Sequence, residues 1–546
     1  MPRLSYSITM ETEKGEHRKS DVVQAIWDTR EGTGLREAVF RPRTQLPAGR
    51  LKSVEAELAV RLADDGFVFM NGFQTWSYSP ELTKGGKTSG IGPLPGKVIR
   101  HYGLDRYGDY YFRDYPGKKG ISQGYSYCYF REGDVFRLIA SLDEKPGYTQ
   151  FSYHAEANRL TISRDCEGLE VEGEYPVLDL YVAAGSEEEV FDGWFSALGL
   201  KAPAGVKISG YTSWYNHYED ITEQSVLRDL EGAAGLLRPG DLFQIDDGWE
   251  LAVGDWREAD PVKFPCGMKA MAQAIHDKGF KAGLWLAPFV ACQRSKLYQD
   301  HPKWFYFHER QPWYCGSNWG GFYALDFDYP EVREYLKETF RRVFDDWGFD
   351  LVKLDFLYAA APFGDARETR AGRMIRAMEF LRQLCGDKLI LGCGVPLMPA
   401  FGLVDYCRIS CDVGLDWDDA PWMKLANRER ISTKQAMESA IYRRQLNGRA
   451  FGSDPDVYYL RDTNLKLDSD QKKMLALGCA LFGQMRLCSD DMGEYGEAQK
   501  DAFQRLRHIA EEARDVRVLH RQEGKKEILE ITYRLGDESY SYRIPV

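Results

Sequence analysis

From Met1 to about Gly199 apolar and polar residues alternate in short runs broken by Gly, Asp and Pro, as at 53–62 (SVEAELAVRL) and 159–163 (RLTIS). A period of two is that of a strand with one wet face, and many such runs in succession predict an antiparallel β-sandwich. At 200–205 (LKAPAG) the composition turns to Pro, Ala and Gly, a linker signal. From Ile208 the texture changes. Short, almost wholly apolar runs now alternate with longer amphipathic ones such as 332–340 (VREYLKETF), the pattern of parallel strands joined by crossover helices. Eight candidate strands fall at 208–215, 241–247, 281–289, 351–358, 389–394, 405–410, 449–453 and 485–489, and eight strand–helix units make a TIM barrel. After about Val516, 527–533 and 540–544 read as strands joined by Leu535-Gly536-Asp537. The expected fold class is multidomain α/β: an N-terminal antiparallel β-sandwich (1–200), a central (β/α)8 TIM barrel (203–515) and a small C-terminal β domain (516–546).

Composition narrows the function. At 546 residues the chain is too long for one ordinary core. It is 44% hydrophobic and 28% charged, a globular balance, and its net charge of −12 argues against nucleic acid as a partner. The aromatic share of 13%, with 13 Trp and 32 Tyr, suits both sandwich packing and a site where sugar C–H faces lie on rings. The 11 Cys are odd in number and lack paired spacing, and the opening run MPRLSYS has no apolar signal core, so a reducing cytoplasm is expected. The sequence contains no CxxC, no HExxH, no clustered His and no uncharged apolar stretch near the roughly 20 residues of a membrane helix. No metal, no other cofactor and no membrane partner is expected.

Barrel enzymes keep their chemistry at the C-terminal ends of the strands, and here those ends are polar or aromatic. They carry Trp214-Tyr215-Asn216-His217, Asp246-Asp247, Trp285, Lys353 with Asp355, Cys393-Gly394, and Arg408 followed by Asp412. The run 351–358 (LVKLDFLY) delivers Asp355 at a strand tip. Alternation places Lys353 on the same side, where its ammonium would hold the carboxylate ionised; a plain structural ion pair is the competing reading. Asp412 follows the apolar run 406–410, so two acids face one cleft, as glycoside hydrolysis requires. Such a pair needs unequal environments, one acid ionised and the other protonated. Asp246 and Asp247, at a turn, suit the hydroxyls of a sugar. A divalent metal is the alternative, disfavoured by Lys353 and Arg408 nearby, and a turn or helix-capping pair is the bland one. Trp76 lies in a loop-like stretch, 70–77 (MNGFQTWS), as either a sugar platform or an interface aromatic. Cys393 reads as a small wall residue, with no His close in sequence to activate it.

Nine motifs occur in order between residues 73 and 412: FQTW (73–76), GYTSWY (210–215), FQIDDGW (243–249), GLWLAPF (283–289), HPKWF (301–305), YALD (323–326), KLDFLY (353–358), LGCG (391–394) and RISCD (408–412). In them the chain resembles glycoside hydrolase family 36, the α-galactosidases of clan D, and especially its compact single-chain members. The resemblance implies a retaining exo-α-galactosidase acting on α-galactoside oligosaccharides without a cofactor. It makes Asp355 the nucleophile and Asp412 the acid that later acts as base. Asp246 and Asp247 would grip the 4- and 6-hydroxyls, Lys353 the hydroxyls beside them, and Trp214, Tyr215 and Trp285 would form walls. Cys393 and Gly394 would border the 2-position, Arg408 would lie near Asp412, and Trp76 would reach the barrel mouth.

The chain departs from the family pattern in several places. Asn216 stands where compact relatives tend to carry His, Gly320-Gly321 where a larger oligomeric subgroup carries Arg, and Val395-Pro396-Leu397 replaces that subgroup's Gly-rich run. Cys411 precedes Asp412, and Asp416, Asp418 and Asp419 follow as rival acids. An α-N-acetylgalactosaminidase or an α-galactosyltransferase shares the mechanism, and a carbohydrate-binding protein on a retired scaffold is the alternative from another class. No oligomeric state follows from the sequence.

Overall fold

The computed structural model describes residues 2–29, 34–200, 206–419, 421, 423–523 and 526–545. Most of the expected linker, 201–205, lies outside the described residues. The N-terminal part holds two antiparallel seven-stranded sheets. In Arg3–Thr12 the buried residues are Leu4, Tyr6, Ile8 and Met10, one face of a period-two strand. The 17-residue strand Arg43–Ala59 pairs with three strands, Arg3–Thr12, Arg159–Asp165 and Glu170–Pro176. The second sheet is built around Val135–Ser141, Tyr127–Glu132 and Leu180–Gly185. Val54, Phe151 and Ile162 of one sheet pack in one core with Phe130, Ile139 and Leu180 of the other. This region is not all β. Glu187–Leu198 is a helix closed by a Ser186/Glu189 capping box, and its Trp194 lies against Phe401 of the barrel at 5.9 Å between ring centroids.

The barrel strands are Ile208–Thr212, Leu242–Ile245, Lys281–Leu286, Leu351–Leu354, Leu389–Gly392, Tyr406–Arg408, Gly452–Asp454 and Met485–Cys488, all parallel. Each lies within or beside its expected range, and most are shorter because the polar tips leave the ladder. Trp214–His217 turns into a short helix, and Phe356 takes φ 53° immediately after Asp355. The seventh position differs in kind from the expected single strand at 449–453. It is split into Gly452–Asp454, paired to strand six, and Val457–Tyr458, paired to strand eight. The two ends of the hydrogen-bonded sheet are therefore halves of one strand position, joined through Pro455 and Asp456.

The C-terminal sheet has three antiparallel strands, Arg514–Glu523, Lys526–Leu535 and Glu538–Pro545. The first was not one of the two expected strands, because five of the ten residues in RDVRVLHRQE are charged. Among the described residues no helix is long and apolar enough to cross a membrane.

Candidate active site

Strand four ends at Leu354, and the left-handed Phe356 turns the chain so that the Asp355 carboxylate is fixed at the tip. Phe356 N donates to its Oδ1 at 2.9 Å and Trp285 Nε1 to its Oδ2 at 3.1 Å. Two donors from different strands hold one orientation of the acid. Trp285 is itself almost fully buried, edge-on to Trp256.

The neighbouring acids Asp246 and Asp247 sit in opposite environments. Asp246 Oδ2 accepts from Lys353 Nζ at 2.9 Å, Gln244 Nε2 at 2.7 Å and Thr212 Oγ1 at 3.2 Å. Asp247 Oδ2 accepts from Trp319 Nε1 at 2.9 Å, while burial first and the Glu250 carboxyl next push it well above the usual carboxylate range. Burial raises Glu250 as well, so both carboxyls of the pair are pushed toward their protonated forms. The expectation for Lys353 needs correcting on this geometry. Its direct partner is Asp246, and Asp355 is its second anionic neighbour. Strands two and four contribute to the same interior layer of a barrel, so the long lysine reaches across to Asp246.

Asp412 lies beyond strand six. Its Oδ1 accepts from Arg408 Nη1 at 2.8 Å, and its side chain is 35% exposed toward the cavity. Burial raises its pKa above the ordinary range, the Arg408 guanidinium opposes that, and Asp355 adds to it. Arg408 also contacts Asp454 Oδ2 at 3.0 Å and Asp456 Oδ1 at 2.8 Å. Two of the rival acids are engaged elsewhere: Asp418 is held by Arg430 and Ser432, and Asp416 Oδ1 accepts from Asp419 N.

Trp76 comes from loop 71–80 of the N-terminal part. Arg443, fully buried, fastens that loop by donating to Asn71 Oδ1, Gln74 O, Thr75 O and Ser79 Oγ, and to Ile409 O of the barrel. Thr75 Oγ1 accepts from Gly394 N at 2.9 Å, and Thr75 N donates to Val395 O at 3.0 Å. Trp76 stands edge-on to Phe356 at 5.0 Å, and its Nε1 has no hydrogen-bond partner among the described residues. Gly394, at φ 57°, makes this approach possible, because a Cβ there would lie 2.9 Å from both Phe356 N and Trp76 Cη2.

Trp76, Trp214, Asp246, Asp247, Trp285, Lys353, Asp355 and Asp412 converge on one cavity of about 210 Å³. That is below the roughly 300–1,000 Å³ of pockets for drug-sized ligands, and it suits one sugar ring. Tyr215, Arg408, Cys393 and Gly394 stand behind this lining. Tyr215 donates its hydroxyl to Asp456 Oδ2 at 2.5 Å, and Cys393 is buried beside Asp355, where burial pushes its thiol pKa up. Asn216 bonds Asp229 Oδ2 at 3.0 Å. Sequence reasoning missed Tyr107, Asn318 and Trp319, which line the cavity from loops outside the strand tips. Among the described residues no group of three or more His, Cys, Asp and Glu could hold a metal ion.

Residues 211–378 match the Melibiase family. Alpha-galactosidase Mel36A of Lactobacillus acidophilus is 30% identical over 151 residues, 26% of this chain and 20% of that protein. Alpha-galactosidase AgaA of Geobacillus stearothermophilus is 29% identical over 150 residues, again 26% of this chain and 20% of that protein. The matched region thus spans about a fifth of the length of these curated relatives. The likeness extends much further in solved structures. TtGalA, an alpha-galactosidase from Thermus thermophilus in complex with p-nitrophenyl α-D-galactopyranoside, superposes with a TM-score of 0.73 at 27% identity, covering 95% of this chain and 99% of that one. The crystal structure of GH36 alpha-galactosidase AgaA from Geobacillus stearothermophilus, 12% identical, shares the fold with a TM-score of 0.57 over 97% of this chain and 81% of that one.

Proposed function

We propose that the chain is a member of glycoside hydrolase family 36 and a retaining exo-α-galactosidase releasing terminal α-linked galactose from oligosaccharides by double displacement. The observation that carries the reading is the pair Asp355 and Asp412 on one ring-sized cavity in unlike surroundings. Asp355 is oriented by two N–H donors, whereas Asp412 is raised by burial and by the Asp355 charge.

Asp355 attacks the anomeric carbon while Asp412 gives its proton to the departing oxygen. Asp412 then takes a proton from water as that water displaces Asp355. Asp246, held by Lys353, and Asp247, beside Glu250, grip the 4- and 6-hydroxyls of the sugar. Trp76, Trp214 and Trp285 supply the apolar walls. Tyr215, Arg408, Cys393 and Gly394 act from behind them. The galactosides in solved relatives, p-nitrophenyl α-D-galactopyranoside and stachyose, support α-galactosides as substrates. In this reading the chain divides into a β-sandwich (1–200), a catalytic barrel (203–515) and a C-terminal β segment (516–546). A reducing, cytoplasmic setting is supported by the 11 unpaired cysteines.

The test compares initial rates on p-nitrophenyl α-galactoside and p-nitrophenyl α-N-acetylgalactosaminide, with Asp355→Ala as the blank. Preference for the galactoside is expected, with a loss of at least ~10³-fold in kcat for Asp355→Ala at an unchanged circular dichroism spectrum. Preference for the acetamido sugar moves the specificity and keeps the mechanism. Proton NMR of the first-formed product should give α-galactose; β-galactose overturns the double displacement.

A further inference from the structure

Arg408 is crowded by more carboxyls than it can neutralise. Its three guanidinium nitrogens contact Asp412 at 2.8 Å, Asp454 at 3.0 Å and Asp456 at 2.8 Å. Lys353 is the other cation in this cluster, so two cations face five carboxyls, those of Asp246, Asp355, Asp412, Asp454 and Asp456. The side chains of Asp454 and Asp456 are 0% and 1% exposed, and neither lines the cavity. A substrate therefore touches Asp412 and not Asp456.

The placement of Asp456 is specific and strained. It sits in the gap of the split seventh strand at φ 80°, a conformation that costs a non-glycine residue roughly 1–3 kcal/mol. Its Oδ2 accepts from Tyr215 O–H at 2.5 Å and from Val413 N–H at 2.8 Å. Val413 directly follows Asp412. One buried carboxylate thus binds the backbone that carries Asp412, the tyrosine after strand one, and the guanidinium on which Asp412 depends. We propose that Asp456 is a positioning residue whose buried charge competes for Arg408 and so keeps the proton on Asp412 until the glycosidic oxygen takes it. This rests on the reading of Asp412 as the acid and base of the reaction.

The electrostatics agree in direction. Asp412 is faced by Arg408, Lys353 and Asp355, by the hydroxyls of Tyr215 and Tyr218, and by the thiols of Cys393 and Cys411. Asp456 is faced by Arg408, Asp412, Asp454, Tyr215, Tyr459, Cys411 and Cys479. Burial raises all of these hydroxyls and thiols, so they stay neutral where the acids titrate. Burial lifts Asp456 to about 7, with Arg408 opposing and Asp412 reinforcing the rise, so its charge acts on Asp412 as pH rises through that value, on the alkaline limb. A negative Asp456 raises the proton affinity of Asp412, and a neutral side chain there lowers it.

The test is the pH profile of kcat/KM for raffinose, whose leaving group needs a proton, beside that for p-nitrophenyl α-galactoside, whose leaving group does not. In Asp456→Asn the alkaline limb for raffinose should move down by about one pH unit. The acid limb should stay in place, and the aryl substrate should be affected far less. An unmoved limb, or a loss equal at every pH and for both substrates, overturns the proposal. If Asp456→Asn does not fold, Tyr215→Phe decides. Without the hydroxyl donor the shared proton moves toward Asp456, so the raffinose to aryl ratio of kcat/KM should fall severalfold; an unchanged ratio overturns the proposal. Asp412→Asn keeps the two ideas apart. If it spares the aryl substrate and stops raffinose, Asp412 is the acid, and an immobile limb in Asp456→Asn then rejects the positioning role alone. If it slows both equally, the reading of Asp412 fails first.

Discussion

At Gly394 one missing methyl group decides whether two parts of the chain can meet. The indole of Trp76, brought from the N-terminal part, passes over this residue onto Phe356, and the backbone there is left-handed. Alanine would add strain of roughly 1–3 kcal/mol and a Cβ with nowhere to go. Gly394→Ala should lower the melting temperature by several degrees and raise KM more than it lowers kcat, read by calorimetry and initial rates. Asp246 and Asp247 make a different point at the same scale. They are adjacent in sequence, yet one is tied to an ammonium and the other is raised by burial and by the Glu250 carboxyl. Their residue type was legible, but their environments come from Lys353, 107 positions from Asp246, and from Glu250 and Trp319, 3 and 72 positions from Asp247.

Among elements, loop 71–80 and the split seventh strand do what a regular strand could not. The loop has little structure of its own, and its shape is imposed by Arg443, which lies on the barrel side and has no carboxylate partner among its hydrogen bonds. Burial lowers the pKa of this guanidinium to about 10, so it stays charged at neutral pH. Arg443→Met would take the guanidinium donor from the buried carbonyls of Thr75 and Ile409, at about 1–3 kcal/mol each, while Gln74 O keeps Ser77 N. A loss of several kcal/mol in urea unfolding is expected, and the variant that still folds should bind galactose more weakly because Trp76 is no longer held. In the split strand, the interruption at Pro455 and Asp456 closes the barrel and frees one carboxylate to turn inward toward Arg408. The expected strand at 449–453 missed this, because an apolar pattern marks a strand and gives no sign of its interruption.

Over the whole molecule, buried titratable groups outside the site set part of the pH dependence of stability. Glu144 lies in the N-terminal core, accepts from Thr149 N at 3.1 Å, and is pushed up to about 8, chiefly by burial. Its folded pKa is above its unfolded value, so the folded state binds more protons between about 4.5 and 8, and stability falls as pH rises through that window. The full contribution is present only at pH below the unfolded value. Glu144→Gln keeps an acceptor for Thr149 and removes the ionisation, so its melting temperature should fall less between pH 5 and pH 8 than that of the unaltered protein. A parallel fall in both would place the titration elsewhere.

The sequence by itself determined the elements and the chemistry they carry. Period-two alternation marked the N-terminal sheets, apolar runs alternating with amphipathic ones marked the barrel, and polar residues at the run ends marked Asp355, Asp412, Asp246, Asp247, Lys353, Trp214 and Trp285, all of which line the cavity. These are local signals, written in residues a few positions apart. Only the tertiary structure decided which acid Lys353 binds, that Tyr215 and Arg408 stand behind the wall, and that Tyr107 and Trp319 complete it. It alone brought Asp456 to Arg408 and Tyr215. Each of these depends on where a closed barrel brings segments tens to hundreds of residues apart. Hydrogen bonds and burial act over a few ångströms of space, and distance along the chain does not record them.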